Sequence, residues 1–175
     1  RTLARLQGKI DNPATEEQPG RILHEVRFHD RPSLKLGEGT IYYGTADATP
    51  LFVVLLGELR RWGLDDRCAE ELLPAADRAL DWITTRGDRD GDGFVEYQRD
   101  VEHGLANQGW KDSWDAIRFA DGRLAEGPIA MCEIQGYTYA AYLARARFAE
   151  EAGDLAAMRG WRERASRLRS EFRRK

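Results

Sequence analysis

Apolar residues recur at helical spacing in several stretches of the chain, and long polar segments separate these stretches. The run 51–56 is apolar on all faces, which predicts a helix buried on every side, and Gly63 is its expected end. The next pattern predicts a helix that Asp65 or Asp66 caps. Pro74 lies inside this helix and is expected to kink it.

Two further helices are predicted over residues 129–152 and 154–172, and the second carries one apolar stripe opposite an arginine-rich face. Leu3, Leu6 and Ile10 predict another helix at the start. Alternation of buried and amphipathic helices indicates an all-α fold of the α/α toroid type. Residues 1–175 are therefore expected to form a single domain that is part of such a barrel.

Two long irregular segments interrupt the helices, over residues 11–49 and 102–128. Loops of this length in a compact domain are usually functional or disordered, and their aromatic and charged residues favour function. A short strand is conceivable at 94–97.

Composition narrows the class of protein further. The 175 residues are 42% hydrophobic and 33% charged, with a formal net charge of −3, which favours a globular domain and gives no general attraction to nucleic acid or membranes. No apolar run approaches the roughly 20 residues that a membrane span needs. Cys68 and Cys132 are far apart, so reduced thiols and a cytoplasmic location are the simplest expectation.

The segment 107–115, Asn-Gln-Gly-Trp-Lys-Asp-Ser-Trp-Asp, carries the most distinctive chemistry. Asp112 lies between Trp110 and Trp114, and a Trp-lined pocket would disfavour its ionised form, as a general acid requires. Tryptophan faces, carboxylates and amides together favour a sugar site. The alternative is that Asp112 is a turn or capping residue and the tryptophans belong to the core.

Glu133 and Gln135 form a second candidate pair near the start of a predicted buried helix. A carboxylate there could point into a cleft and bind sugar hydroxyls, because charged residues are rarely buried without a partner or a function. The alternative is a glutamate that interacts favourably with the helix dipole.

Asp88, Asp90, Asp92 and Gly93 match the first half of an EF-hand loop. Arg99 stands where the motif expects a bidentate glutamate, so the sequence favours a tight turn without metal. No metal and no cofactor is predicted, although a calcium-dependent interaction domain stays open as an alternative.

Five strings resemble those of bacterial amylo-α-1,6-glucosidase (glycogen-debranching) type proteins, which are six-hairpin glycosidases with an (α/α)6 barrel. They are residues 19–27, 42–52, 90–97, 107–113 and 133–137. The resemblance implies inverting hydrolysis of α-glucosidic bonds, most simply α-1,6 bonds in glycogen-like glucans, with Asp112 as the general acid. Residues in the matching strings imply a substrate-binding set: Arg27, Tyr43, Asp47, Trp110, Lys111, Glu133 and Gln135.

The family's general base, a late glutamate, has no matching segment here. Since Arg1 and Lys175 both fall in helical patterns, the chain is expected to be a fragment of a larger glycosidase and nearly inactive alone. Exposed helix faces are then expected to pair with another copy or with more of the chain. The alternative function is a non-catalytic carbohydrate-binding or degenerate module of the same fold.

Overall fold

The structure, a computed structural model, describes residues 1–28 and 40–175. These residues form an all-α fold, as predicted, with one two-stranded antiparallel sheet that pairs Glu25 with Tyr42 and Val26 with Ile41. The elements in chain order are α1 (Thr2–Arg5), a 3-10 turn (Pro13–Thr15), β1 (Glu25–Val26), β2 (Ile41–Tyr42), α2 (Ala48–Arg61), α3 (Asp66–Thr85), α4 (Cys132–Glu151) and α5 (Leu155–Phe172). The predicted functional loop over residues 11–49 is described except for 29–39.

Helices α2 and α3 form a hairpin whose ends follow the sequence signals. Gly63 takes a φ of +61°, which a glycine adopts without strain, and lets the chain leave α2. Asp65 then caps α3, because its Oδ1 accepts a hydrogen bond from the Cys68 N–H at 2.9 Å. Helix α3 continues through Pro74 and buries Ala76, among other small residues, against α2.

Helices α4 and α5 form a second hairpin, and α4 packs against both α2 and α5. Asp154 caps α5 by accepting a hydrogen bond from the Ala157 N–H at 3.0 Å. The crossing of α2 and α4 is close at Gly57, where an added Cβ would lie 2.7 Å from the Ala144 Cβ. Tyr142 stacks on Trp161 across the α4–α5 contact, with ring centroids 5.7 Å apart.

The chain before α2 packs across α3. The buried Gln7 side chain donates hydrogen bonds to the carbonyls of Gly20 and Ala75, at 2.8 and 3.0 Å. The Trp82 indole donates to Gln18 Oε1 at 2.7 Å. These bonds join the residues from Gln7 to Gly20 to helix α3.

The predicted helix through Leu3, Leu6 and Ile10 is wrong beyond its first turn, because α1 ends at Arg5 and Ile10 is exposed. Gly8 explains the ending. Its N–H donates to the Arg21 carbonyl at 2.9 Å, and an added Cβ would lie 2.2 Å from the Gln18 carbonyl oxygen. Two stretches of irregular chain therefore meet where a helix would need room for side chains.

The prediction that the run 51–56 is buried on every side is also wrong. Leu51 and Leu55 are 39% and 49% exposed, whereas Phe52, Val53 and Leu56 are buried. Helices α3 and α4 cover the other faces of α2, and the described residues leave this face open.

Residues 94–97 form a single β-bridge, from Tyr97 to Ile129, and no strand. Val95 is instead held by a side chain: its N–H donates to Gln135 Oε1 at 2.9 Å and its carbonyl accepts from Gln135 Nε2 at 2.8 Å. The glutamine amide thus takes the place of a neighbouring backbone. Among the described residues, none of the helices combines the length and the apolar character that crossing a membrane requires.

Candidate functional site

The loop that carries the candidate acid is fixed by two buried amides, Asn107 and Gln108. Asn107 Oδ1 accepts a hydrogen bond from the Tyr97 hydroxyl at 3.0 Å, and its Nδ2 donates to the Ser113 carbonyl at 2.6 Å. The Gln108 carbonyl accepts from the Ala46 N–H at 2.7 Å. The segment is therefore tied at its start to two distant parts of the chain.

Gln108 is 1% exposed and links two buried charges. Its Oε1 accepts from Arg21 at 2.6 Å and its Nε2 donates to Glu16 Oε2 at 2.6 Å. Burial lowers the pKa of Arg21 to about 10, so the guanidinium stays charged at neutral pH. Burial also raises the pKa of Glu16, and the Arg21 charge opposes this rise.

Sequence reasoning missed this network. Glu16 has a φ of +55° and Arg21 lies in one of the matching strings, but neither fact predicts that they meet. Arg21 and Glu16 are 87 and 92 residues from Gln108 in sequence, and contacts over such distances produce no periodic pattern of apolar and polar residues. The available sequence signal was an arginine between Gly20 and Ile22, because a glycine and an apolar residue on either side are compatible with a buried arginine.

Tyr42 supports the same region from below. It is fully buried, its hydroxyl accepts a hydrogen bond from the Leu105 N–H at 2.8 Å, and burial raises its pKa. Gly44 allows this placement, because an added Cβ would lie 2.0 Å from the Tyr42 hydroxyl oxygen. The start of the 102–128 segment is therefore held by the buried Tyr42 side chain through Leu105.

Beyond these anchors the loop is displayed on the surface. Trp110 and Trp114 are 80% and 70% exposed, and Lys111 and Asp112 are exposed as well. The predicted Trp-lined pocket around Asp112 is therefore wrong for the described residues. In this segment Asn107 and Gln108 are buried, whereas the two tryptophans that follow are exposed.

Glu133 lies next to this loop, in the first turn of α4. A Cβ added to Gly109 would lie 3.5 Å from Glu133 Oε1. Burial raises the pKa of Tyr97 to about 12, and the nearby Glu133 charge adds to the rise. The structure thus brings Glu133 to the root of the Trp110–Asp115 loop, as an arrangement of both in one sugar site requires.

Gln135, a predicted substrate-binding residue, has backbone groups as its hydrogen-bond partners among the described residues. It is buried, and its amide is used by the Val95 backbone and by the Met131 carbonyl, to which Nε2 donates at 3.1 Å. Its role is to hold residues 94–97 against α4.

Tyr43 is likewise a structural residue here, because it is buried and its hydroxyl donates to the Leu6 carbonyl at 2.8 Å. Asp47 is half-buried at the start of α2 and accepts from the Thr45 hydroxyl at 2.5 Å. Its segment reaches the candidate loop through the bond from Ala46 to Gln108. Arg27 pairs with Glu25 at 2.6 Å, beside β1.

A separate group of carboxylates follows α3: Asp88, Asp90, Asp92 and Glu96. Clusters of carboxylate oxygens such as this one are typical ligands of hard cations. The group is formed by residues 88–96, while the candidate loop begins at Asn107.

Comparison with models of known protein families finds no match for this chain, and comparison with curated proteins finds none either.

Proposed function

We propose that the surface formed by residues 107–115 and Glu133 binds carbohydrate, and that Asp112 is the general acid of an inverting α-glucosidase with an (α/α)6 toroid fold. The observation that carries this proposal is the display of Trp110 and Trp114 on either side of Asp112, on a loop with buried anchors. Two exposed tryptophans cost solvation free energy that a binding partner recovers. Their flat faces suit the C–H surfaces of sugar rings.

The chemistry follows from the carboxylates. Asp112 protonates the glycosidic oxygen as the bond breaks, and a second carboxylate about 6.5–9.5 Å away activates the water. Glu133 accepts hydrogen bonds from sugar hydroxyls at the root of the loop, and Lys111 donates to them. The resemblance to glycogen-debranching glucosidases supports α-1,6 linkages as the bonds that are cut.

The direct test of binding is a titration of the chain with isomaltotriose and maltotriose, followed by tryptophan fluorescence and calorimetry. Trp110→Ala is expected to remove stacking worth about 0.5–1.5 kcal/mol and so to weaken binding by about two- to ten-fold. Trp62→Ala is the matched control, because Trp62 is an equally exposed tryptophan at the end of α2. Equal loss in both variants, or no binding in the wild type, would refute the sugar site.

The test of catalysis is release of glucose from isomaltose by a protein that also supplies the general base, because no segment of this chain matches that residue. Asp112→Asn is expected to lower turnover by about 100-fold or more, since it cannot donate the proton. Asp115→Asn, in the same loop but paired with Arg118, is expected to retain activity. Near-normal turnover by Asp112→Asn would contradict the assignment.

The alternative function is a non-catalytic sugar-binding module. The exposure of Asp112 favours it, because a general acid usually lies in an apolar or enclosed setting that keeps its proton. Binding that depends on Trp110, without any release of glucose even when the general base is supplied, would support this alternative over the enzyme.

A further inference from the structure

The carboxylates that follow α3 converge on one point. One carboxylate oxygen from each of Asp88, Asp90, Asp92 and Glu96 lies within 4.8 Å of the others. The backbone turns with φ of +80° at Gly91 and +91° at Gly93, values that glycine alone adopts readily. This curvature directs alternate side chains of the loop to the same side.

Part of this group is bound to the loop's own backbone, and part is not. Each carboxylate accepts one hydrogen bond from a loop N–H, at 2.8–3.1 Å; the donors are Arg89, Asp92, Gly93 and Phe94. Asp88 Oδ1 is different. It is fully buried, and no described residue donates a hydrogen bond to it. A buried carboxylate oxygen without a donor is costly unless a cation satisfies it.

Glu96 is a second buried carboxylate of this group. It is 8% exposed, and one of its carboxylate oxygens lies within 4.8 Å of those of Asp88, Asp90 and Asp92. The group already attracts one cation, since Lys175 Nζ donates to Asp92 Oδ2 at 2.6 Å. A cavity of about 160 Å³ borders the group on the α5 side, where Arg164 is among the lining residues.

We propose that Asp88, Asp90, Asp92 and Glu96 form a calcium site. Calcium takes six to eight oxygen ligands in a flexible geometry, and four carboxylate oxygens within 4.8 Å of one another can surround one such ion. Magnesium demands near-ideal octahedral geometry and keeps several of its waters, so a site with four protein carboxylates suits calcium better. The proposal therefore departs from the metal-free turn that the sequence favours.

The spacing of the ligands also explains why the sequence was ambiguous. Asp88, Asp90 and Asp92 stand at positions 1, 3 and 5 of an EF-hand loop, and Glu96 stands at position 9. The glutamate of the standard loop comes at position 12, where this chain has Arg99. The fold supplies the buried glutamate earlier, because Gln135 holds the 94–97 segment against α4.

Such an ion would act as a structural clamp. It would join the residues after α3 to the 94–97 segment. That segment is bonded to Ile129, just before α4, through Tyr97 and to Gln135 of α4 through Val95. Calcium is therefore expected to stabilise the fold, and this inference does not depend on the sugar site.

The test is calorimetric titration of the chain with calcium chloride after removal of metal by EDTA. We expect one ion per chain and saturation below about 1 mM, with a higher unfolding temperature in calcium. Asp88→Asn is expected to weaken binding by about ten-fold or more. Asp121→Asn, an exposed aspartate that pairs with Arg123 in another loop, is the control and is expected to bind as the wild type does.

Lys175→Ala supplies a second variant that leaves the ligands intact. It removes the competing ammonium and is expected to tighten calcium binding by up to about five-fold. Absence of heat in both the wild type and Lys175→Ala at millimolar calcium would overturn the proposal. Equal affinity in Asp88→Asn and the wild type, or equal affinity for magnesium, would overturn it as well.

Discussion

At the scale of residues, the candidate loop depends on charges that lie far from it in sequence. Arg21 donates to the carbonyls of Thr45 and Glu16 and to Gln108 Oε1, and its guanidinium lies over the Trp82 ring at 5.3 Å. All five donors of a guanidinium need acceptors when the group is buried. Arg21 is thus the residue that fixes Gln108, and through it the start of the loop.

Arg21→Met is expected to destabilise the chain by about 3–5 kcal/mol at pH 7, because it leaves the Glu16 carboxylate buried without its cation. The pKa of Glu16 is already raised by burial, and loss of Arg21 raises it further. A raised pKa means that the charge penalty is present above the folded pKa and disappears below the unfolded value of about 4.3. The loss measured by urea unfolding is therefore expected to shrink toward about pH 4.

Arg86→Met is the control for this prediction. Arg86 pairs with Asp11 on the surface, so its loss is expected to cost below about 1 kcal/mol and to vary little with pH. Similar losses for the two variants at pH 7 would show that the buried pair is not what holds the loop.

At the scale of elements, the helices that the sequence predicted well are those with local signals at both ends. Asp65 and Asp154 cap α3 and α5, and Gly63 ends α2, because capping needs only a few adjacent residues. The errors have another origin. The helix through Ile10 does not form because Gly8 packs against the Gln18 backbone. Residues 94–97 do not form a strand because the Gln135 side chain takes the hydrogen bonds of the Val95 backbone.

The same distinction applies to the candidate site. The 107–115 segment stood out because tryptophan, aspartate and lysine are adjacent there, which is a local fact. The exposure of its tryptophans was not predictable from the sequence. Asn107 and Gln108 are the buried residues of this segment, and they bond to Tyr97 and Glu16, which lie elsewhere in the chain. Pairings of that kind are set by the fold as a whole.

The crossing of α2 and α4 gives a prediction with opposite signs at two glycines. Gly57→Ala is expected to destabilise the chain by about 1–3 kcal/mol, because the new Cβ would lie 2.7 Å from the short Ala144 side chain, which cannot move aside. Gly160→Ala in α5 meets nothing within 4 Å. It is expected to stabilise by about 0.5–1 kcal/mol through helix propensity.

Thermal and urea unfolding of both variants, followed by circular dichroism, measures these changes. The contrast between them is the decisive quantity, since both replace a helical glycine by the same residue. Stabilisation by Gly57→Ala would mean that α2 and α4 are farther apart than the structure has them.

At the scale of the whole molecule, α2 carries an open apolar stripe. Leu51 and Leu55 lie one helical turn apart, and Trp62, 67% exposed, continues along the helix. Helices α3 and α4 cover the remainder of α2, so the stripe faces away from the described core. Apolar surface of this kind marks an interface or a liability to aggregate.

We therefore expect the chain to self-associate through α2 in solution. Sedimentation velocity over a range of concentrations is expected to show species larger than a monomer, and the double variant Leu51→Gln, Leu55→Gln is expected to sediment as a monomer. Leu155→Gln is the control, since Leu155 is an exposed leucine at the start of α5 and is not part of α2. A wild type that stays monomeric and unfolds cooperatively would contradict the prediction. Loss of association in the control as well would show that the loss is not specific to the α2 stripe and would contradict the assignment.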